Sequence, residues 1–363
     1  MNTRHRADRC GRESVQSSVG TMERTHIRCY RAGKRRRVAG LLTAAVLAAG
    51  GVGNAADWAT LEPKAGTANG KHIVLLAGDE EYRSEECLPM LAKILSQRHG
   101  FKCTVLFSVN PADGTIDPVN QTNVPGMHLL DTADLAILQF RFRELPDADM
   151  KHFEDYLKAG KPIIALRTAT HAFAYSRNKS SPFAKYDWQS KTWPGGFGQQ
   201  VLGETWVAHH GDHGKESTRG FVDGLNANHP VLRGVKDVWG PSDVYTVKNL
   251  KPTDTVLMHG LTLRGMKPDD APNWAKSLMP LVWIRDYTWE NGKTTRALTS
   301  TIGAAVDLES EDLRRLIVNA CYWLTGLDVP AKADATCVGE YKPLYFGFGK
   351  FTKGVKPSAF DVK

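Results

Sequence analysis

The sequence predicts a layered α/β fold built on a mostly parallel sheet with helices on both faces. Mainly apolar runs rich in branched residues recur at 71–77, 101–109, 134–142 and 162–166 without strict polar alternation, as expected of strands covered on both faces. Amphipathic stretches at 85–98 and 146–159 alternate with them, which argues for parallel strands joined by helical crossovers. At 363 residues the chain suffices for one large domain of this kind.

Residues 1–55 carry eleven of the 47 Lys/Arg and three of the 39 Asp/Glu, leaving 36 of each in the remainder. The net charge of +8 therefore belongs to this segment, and the neutral remainder argues against a nucleic-acid partner. Lys34-Arg35-Arg36-Arg37, the apolar run 38–49 and Gly53-Asn54-Ala55 read as a signal segment cleaved after Ala55. Export to the periplasm or beyond is the expectation. The apolar run is short for a bilayer, so no stable span is expected after cleavage. Met22 offers an alternative start, and both the Sec and twin-arginine routes stay open. Cys10 and Cys29 leave with the leader; Cys87, Cys103, Cys321 and Cys337 remain as disulfides or buried thiols, without metal-type spacing.

Residues 56–70 are small and polar and read as a linker to a domain over 71–327. In the helix at 85–98, Leu88, Leu91, Ile94 and Leu95 share a face and Gly100 stops it. The helix at 146–159 places Met150, Phe153 and Leu157 inward and ends on Gly160. Beyond the strand at 162–166 the chain turns abruptly polar, with Arg167, Thr168, Thr170 and His171. Residues 172–228 then run irregularly, with Trp188, Trp193, Trp206 and the run HHGDHG at 209–214, and are expected to cover the strand ends. Strands are expected at 243–247 and 255–258, and a hairpin over 280–287 and 294–302 through Asn291-Gly292. The helix at 311–325 is the clearest, capped by Ser310 and closed by Gly326. Aromatics at Tyr341, Tyr345, Phe346 and Phe348 suggest that the tail from 328 packs back on the domain.

In parallel sheets, ligands bind beyond the carboxyl ends of the strands. That edge would gather Asp79, Glu80, Glu81, Tyr82 and Arg83 after the first strand, Arg141 and Arg143 after the third, and Arg167, Thr168 and His171 after the fourth. Carboxylates, arginines, histidine and tryptophans suit a small carbohydrate ligand, although acid and arginine can also simply pair with each other. His171, His209, His210, Asp79 and Glu81 are the candidates for acid–base work. Arg167, Thr168, Arg143, Glu80, Asp243 and Tyr245 are the candidates for substrate binding. No cofactor is called for; a divalent metal on His209, His210 and His213 is the one exception, and their loop matches no metal motif.

The turn at 162–171, the Trp/Gly/His insertion, His229-Pro230, Asp243-Val244-Tyr245, the hairpin and the closing NACYWLTGL helix together resemble the trehalose-utilisation (ThuA-like) family in its exported bacterial form. The resemblance spans 71–327. It implies a flavodoxin-like, class I glutamine-amidotransferase-like fold and a role with disaccharides or keto-sugars. It puts Arg167 where amidotransferases keep the cysteine of the nucleophile elbow and where ThuA-like proteins place histidine. The family histidine after Gly195-Gly196-Phe197 would be His209 or His210, and the family's late Gly-His pair departs to Gly303-Ala304. Amidotransferase chemistry is excluded, because no cysteine lies at a strand–turn–helix elbow and a guanidinium is no nucleophile. An enzyme acting on a keto-glycoside, as hydrolase or lyase, and a non-catalytic glycan-binding module both stay open.

Overall fold

The computed structural model describes residues 57–362, all within one unit, Asn54–Lys363. The leader, its cleavage point, Met22, Cys10 and Cys29 lie outside the described residues. Ten strands form one sheet: β1 (Trp58–Leu61), β2 (His72–Gly78), β3 (Lys102–Phe107), β4 (Leu135–Phe140), β5 (Ile163–Leu166), β6 (Thr218–Val222), β7 (Val238–Gly240), β8 (Thr255–Thr262), β9 (Met279–Thr288) and β10 (Thr294–Ser300). Their order is β1-β3-β2-β4-β5-β10-β9-β8-β6-β7. The block β3-β2-β4-β5-β10 is parallel, and every other neighbouring pair is antiparallel.

Three α-helices lie among the described residues: α1 (Ser84–His99), α2 (Asp147–Lys158) and α3 (Glu311–Leu324). Alternate residues of β2 point to opposite faces, Ile73, Leu75 and Ala77 into the core beneath α1 and α3, and Val74 and Leu76 into a second core beneath α2. The helices are few and unevenly shared, two over the first face and one over the second. On the second face α2 is joined by the irregular excursion, whose Phe173, Tyr186 and Phe197 rings pack against Phe153. Aromatic area does there what helices do in a regular α/β layer.

Several expectations are revised. Residues 58–61, read as linker, are an edge strand whose Ala59 and Leu61 are buried, because its partner β3 would otherwise leave backbone groups unpaired. The strand expected at 243–247 does not join the sheet; Val244 and Thr246 pair instead with the 208–211 backbone. β6 and β7, only five and three residues long, arise where no periodic signal marks a strand. The expected hairpin β9–β10 forms, with Thr294 paired to Thr288 and Gly292 at positive φ. Ser310 caps α3 through the Leu313 N–H. The four described cysteines are free, three of them buried. No helix among the described residues is long and apolar enough to cross a membrane.

Candidate functional site

Strand direction decides what meets at the sheet edge. β2, β4, β5 and β10 are parallel, so their carboxyl ends share one edge. β8 runs antiparallel to β9 and hence along β10, and β6 and β7 alternate after it. The register Thr218↔Gly240 and Thr218↔Thr262 therefore brings the start of β6 and the ends of β7 and β8 to that same edge. The histidine run 209–214 precedes β6 and Asp243 follows β7, so both arrive beside the turn after β5.

Among the described residues three non-glycine positions have positive φ: Arg83 at 59°, Phe142 at 54° and Arg167 at 43°. All three follow strands at this edge, and such left-handed backbone persists only where surrounding contacts impose it. At Arg167 those contacts are plain. Its guanidinium is fully buried, donating to the carbonyls of Asp243 and Thr301, to Tyr82 Oη (2.9 Å) and to Asp243 Oδ1 (3.1 Å). It lies between two rings, 4.3 Å from the Tyr82 centroid and 4.2 Å from that of Tyr245. Only Nε lacks a partner. Arg167 is thus a buried post that holds Asp243 and Tyr82, and its fork does not face a ligand as expected.

Asp243 is the hub. His209 Nδ1 lies 2.7 Å from its Oδ2, and His213 Nδ1 lies 3.1 Å from its Oδ1. Burial works to raise its pKa, but the Arg167 charge and the two imidazoles hold the carboxyl well below the usual range. His213 reaches Glu81 Oε1 with its other nitrogen at 3.3 Å. Bridged between Asp243 and Glu81, its pKa is pushed up to about 9. Glu81 is lowered: burial opposes this, but the His213 bond and the Arg141 charge prevail. Both histidine side chains keep about a third of their surface, 34% and 36%. His209, His213 and Asp243 each offer one ligand atom, all within 4.8 Å of one another. His210 does not join them, since its Nε2 pairs with the Ser277 carbonyl at 2.8 Å.

The other expected residues serve the frame. Asp79 is buried, accepts from the Glu81 and Tyr82 N–H groups and from Thr168 Oγ1, and so ties the β2 turn to the β5 turn. That leaves both Asp79 and Thr168 enclosed and without access to solvent. Glu80 joins Arg141 and Arg143; burial raises its pKa despite those charges. Arg143 is fully buried, donating also to Ser108 Oγ and the Pro118 and Asn120 carbonyls. These ion pairs are the bland alternative realised.

His171 is buried among the rings of Phe142 (5.0 Å), Trp206 (5.8 Å) and Tyr245 (6.1 Å), and burial followed by the Arg141 charge holds its pKa well below the usual value. It is a neutral, enclosed neighbour of the site. The excursion divides its labour: residues 172–203 cross the sheet face, and Trp188 and Trp206 (5.9 Å apart) return to the edge, Trp206 standing 5.8 Å from His209.

Two supports escaped sequence reasoning. Asp307 is buried and accepts from Ser242, Gly303 and Ala304, which clamps the loop before Asp243 onto the end of β10. Phe346 of the tail packs on Tyr82 (5.3 Å) and His213 (5.4 Å), while the Gly347 N–H donates to the Glu81 carbonyl. The acid four residues after Gly303 was a visible signal for the first; for the second, the tail aromatics signalled packing on the domain but not its place beside His213.

No family model matches the chain, and no curated protein matches it. Among solved structures it is similar to a protein described only as ThuA-like from Parabacteroides merdae, at 14% identity and a TM-score of 0.47, covering 76% of this chain and 99% of that one. A second structure so described, from Bacteroides uniformis, aligns at 15% identity and a TM-score of 0.43, covering 72% and 94%.

Proposed function

We propose that the chain is an exported ThuA-like protein that acts on a disaccharide or keto-sugar by acid–base chemistry at the Asp243–His209–His213 centre. One observation carries the reading: a partly open imidazole, His209, sits 2.7 Å from a buried carboxylate, Asp243. A carboxylate that fixes one ring nitrogen leaves the other to exchange protons with a ligand. Trp206 beside His209 supplies an aromatic face of the sort sugars stack on. The parallel order β3-β2-β4-β5-β10 corresponds to the flavodoxin order 2-1-3-4-5 and supports that frame for the fold. A glycan-binding module would need no imidazole ordered in this way.

The test is to incubate the protein with trehalose and keto-trehalose and analyse the products. Turnover is expected for the wild type, falling by roughly 10²–10⁴-fold in His209→Ala. Binding without product in the wild type would make the chain a glycan-binding module and overturn the catalytic reading.

A further inference from the structure

We propose that His209, His213 and Asp243 bind one divalent ion of the zinc class, with its open position facing solvent on the exposed side of the two imidazoles. Their chemical types are right: two imidazoles and a carboxylate are the mixed set that borderline transition ions accept and that magnesium or calcium does not favour. So is the spacing. Around a tetrahedral ion with bonds of about 2.0–2.1 Å, neighbouring ligand atoms stand about 3.3 Å apart. Here His209 Nδ1 lies 2.7 Å from Asp243 Oδ2 and His213 Nδ1 lies 3.1 Å from Oδ1, hydrogen-bond distances that open to ligand spacing by a shift of a few tenths of an ångström, and one ligand atom from each residue lies within 4.8 Å of the other two.

The surroundings are those of a held ligand set. Glu81 Oε1, 3.3 Å from His213 Nε2, orients that ring so that Nδ1 turns toward Asp243. Arg167 fixes Asp243 from the buried side. The Ala208 carbonyl accepts from the Thr246 N–H, and the Val244 carbonyl from the His210 N–H, which pins the histidine run to the acid-x-Tyr segment. Gly211 is required there, because a Cβ at that position would lie 2.8 Å from Asp243 Cβ. Arg167 also neutralises much of the Asp243 charge, which weakens the site for hard, oxygen-seeking cations more than for ions that bond to imidazole nitrogen.

Three protein ligands leave a fourth position, and the exposed sides of His209 and His213 direct it outward. There the ion would hold a water or an oxygen of the sugar. That chemical consequence rests on the carbohydrate reading above; the binding itself does not.

The test uses the full chain, stripped with a chelator and titrated with cobalt(II) as probe. One cobalt per chain is expected, with the visible absorption of a low-coordinate ion and no competition from a hundredfold excess of magnesium or calcium. His209→Ala and His213→Ala should each weaken binding at least tenfold. Glu81→Gln should weaken it about 10–100-fold through the His213 ring, and His210→Ala should leave it unchanged. Absence of stoichiometric binding, or cobalt bound normally by a folded His209→Ala/His213→Ala double variant, would overturn the proposal. The two readings fail separately: turnover by a chain that binds no cobalt removes the ion and keeps the reaction, and cobalt bound without turnover does the reverse.

Discussion

Arg167 and Asp243 stand 76 positions apart in the chain and form an ion pair in which neither side chain reaches solvent. The pair joins the parallel half of the sheet, through the β5 turn, to the antiparallel half, through the loop after β7. Breaking it from one side strands a buried charge. Asp243→Ala is expected to cost about 3–5 kcal/mol by urea unfolding. An Arg167→Met/Asp243→Ala double variant should lose markedly less than the sum of its singles, and strict additivity would refute the coupling. Arg167→Lys should also destabilise, because one ammonium cannot serve the Thr301 carbonyl, Tyr82 Oη and the carbonyl and Oδ1 of Asp243 together.

Glu85 sets a pH dependence. Burial raises its pKa from 4.5 to about 8, and the Arg83 contact at 3.4 Å is too long to reverse this. A carboxyl whose folded pKa lies above its unfolded value favours the fold while protonated. Its contribution is complete below pH 4.5 and is lost as pH rises through about 8. Glu85→Gln removes that loss. The melting temperature of the variant relative to wild type should therefore climb between those two pH values; a constant difference would show that Glu85 titrates normally.

Gly198 lets the excursion press on the turn that carries His171. A Cβ there would sit 2.0 Å from the Thr170 carbonyl oxygen. Gly198→Ala should cost roughly 1–3 kcal/mol or more through overpacking. Gly214→Ala meets nothing within 4 Å and bears only the strain of a φ of +71°, about 1–2 kcal/mol. Equal melting shifts for the two would argue against the close contact.

Phe346 anchors the tail on Tyr82 and His213. Truncation to alanine should release residues 340–350 to proteolysis while the sheet stays folded, measured by limited digestion and intact mass. A cleavage pattern like that of the wild type would mean that the Gly347 contacts with Glu81 and Arg83 suffice.

Much of the frame was legible because its signals are local. Apolar runs, the Asn-Gly turn, Gly100, Gly160 and the Ser310 cap each act within a few residues, so β2–β5, the β9–β10 hairpin and all three helices fall close to their expected places. β6 and β7 were not legible; strands this short draw their stability from their neighbours, β6 from β8 and β7 from β6, rather than from their own composition.

At the site, the sequence by itself determined which residues reach the edge, because strand direction carries everything after β2, β4 and β5 to one side. Tertiary structure alone decided their work. Arg167, Arg143, Asp79 and Thr168 read as ligand-facing from their positions, yet each is enclosed by partners tens of residues away. His209, His210 and His213 are equivalent in a string of letters. The pairing of 208–211 with 244–246 turns two of them onto Asp243 and the third onto Ser277. The physical reason is one of range: periodicity and capping are encoded between neighbours, whereas burial of a charge depends on whatever distant segment the sheet brings to enclose it.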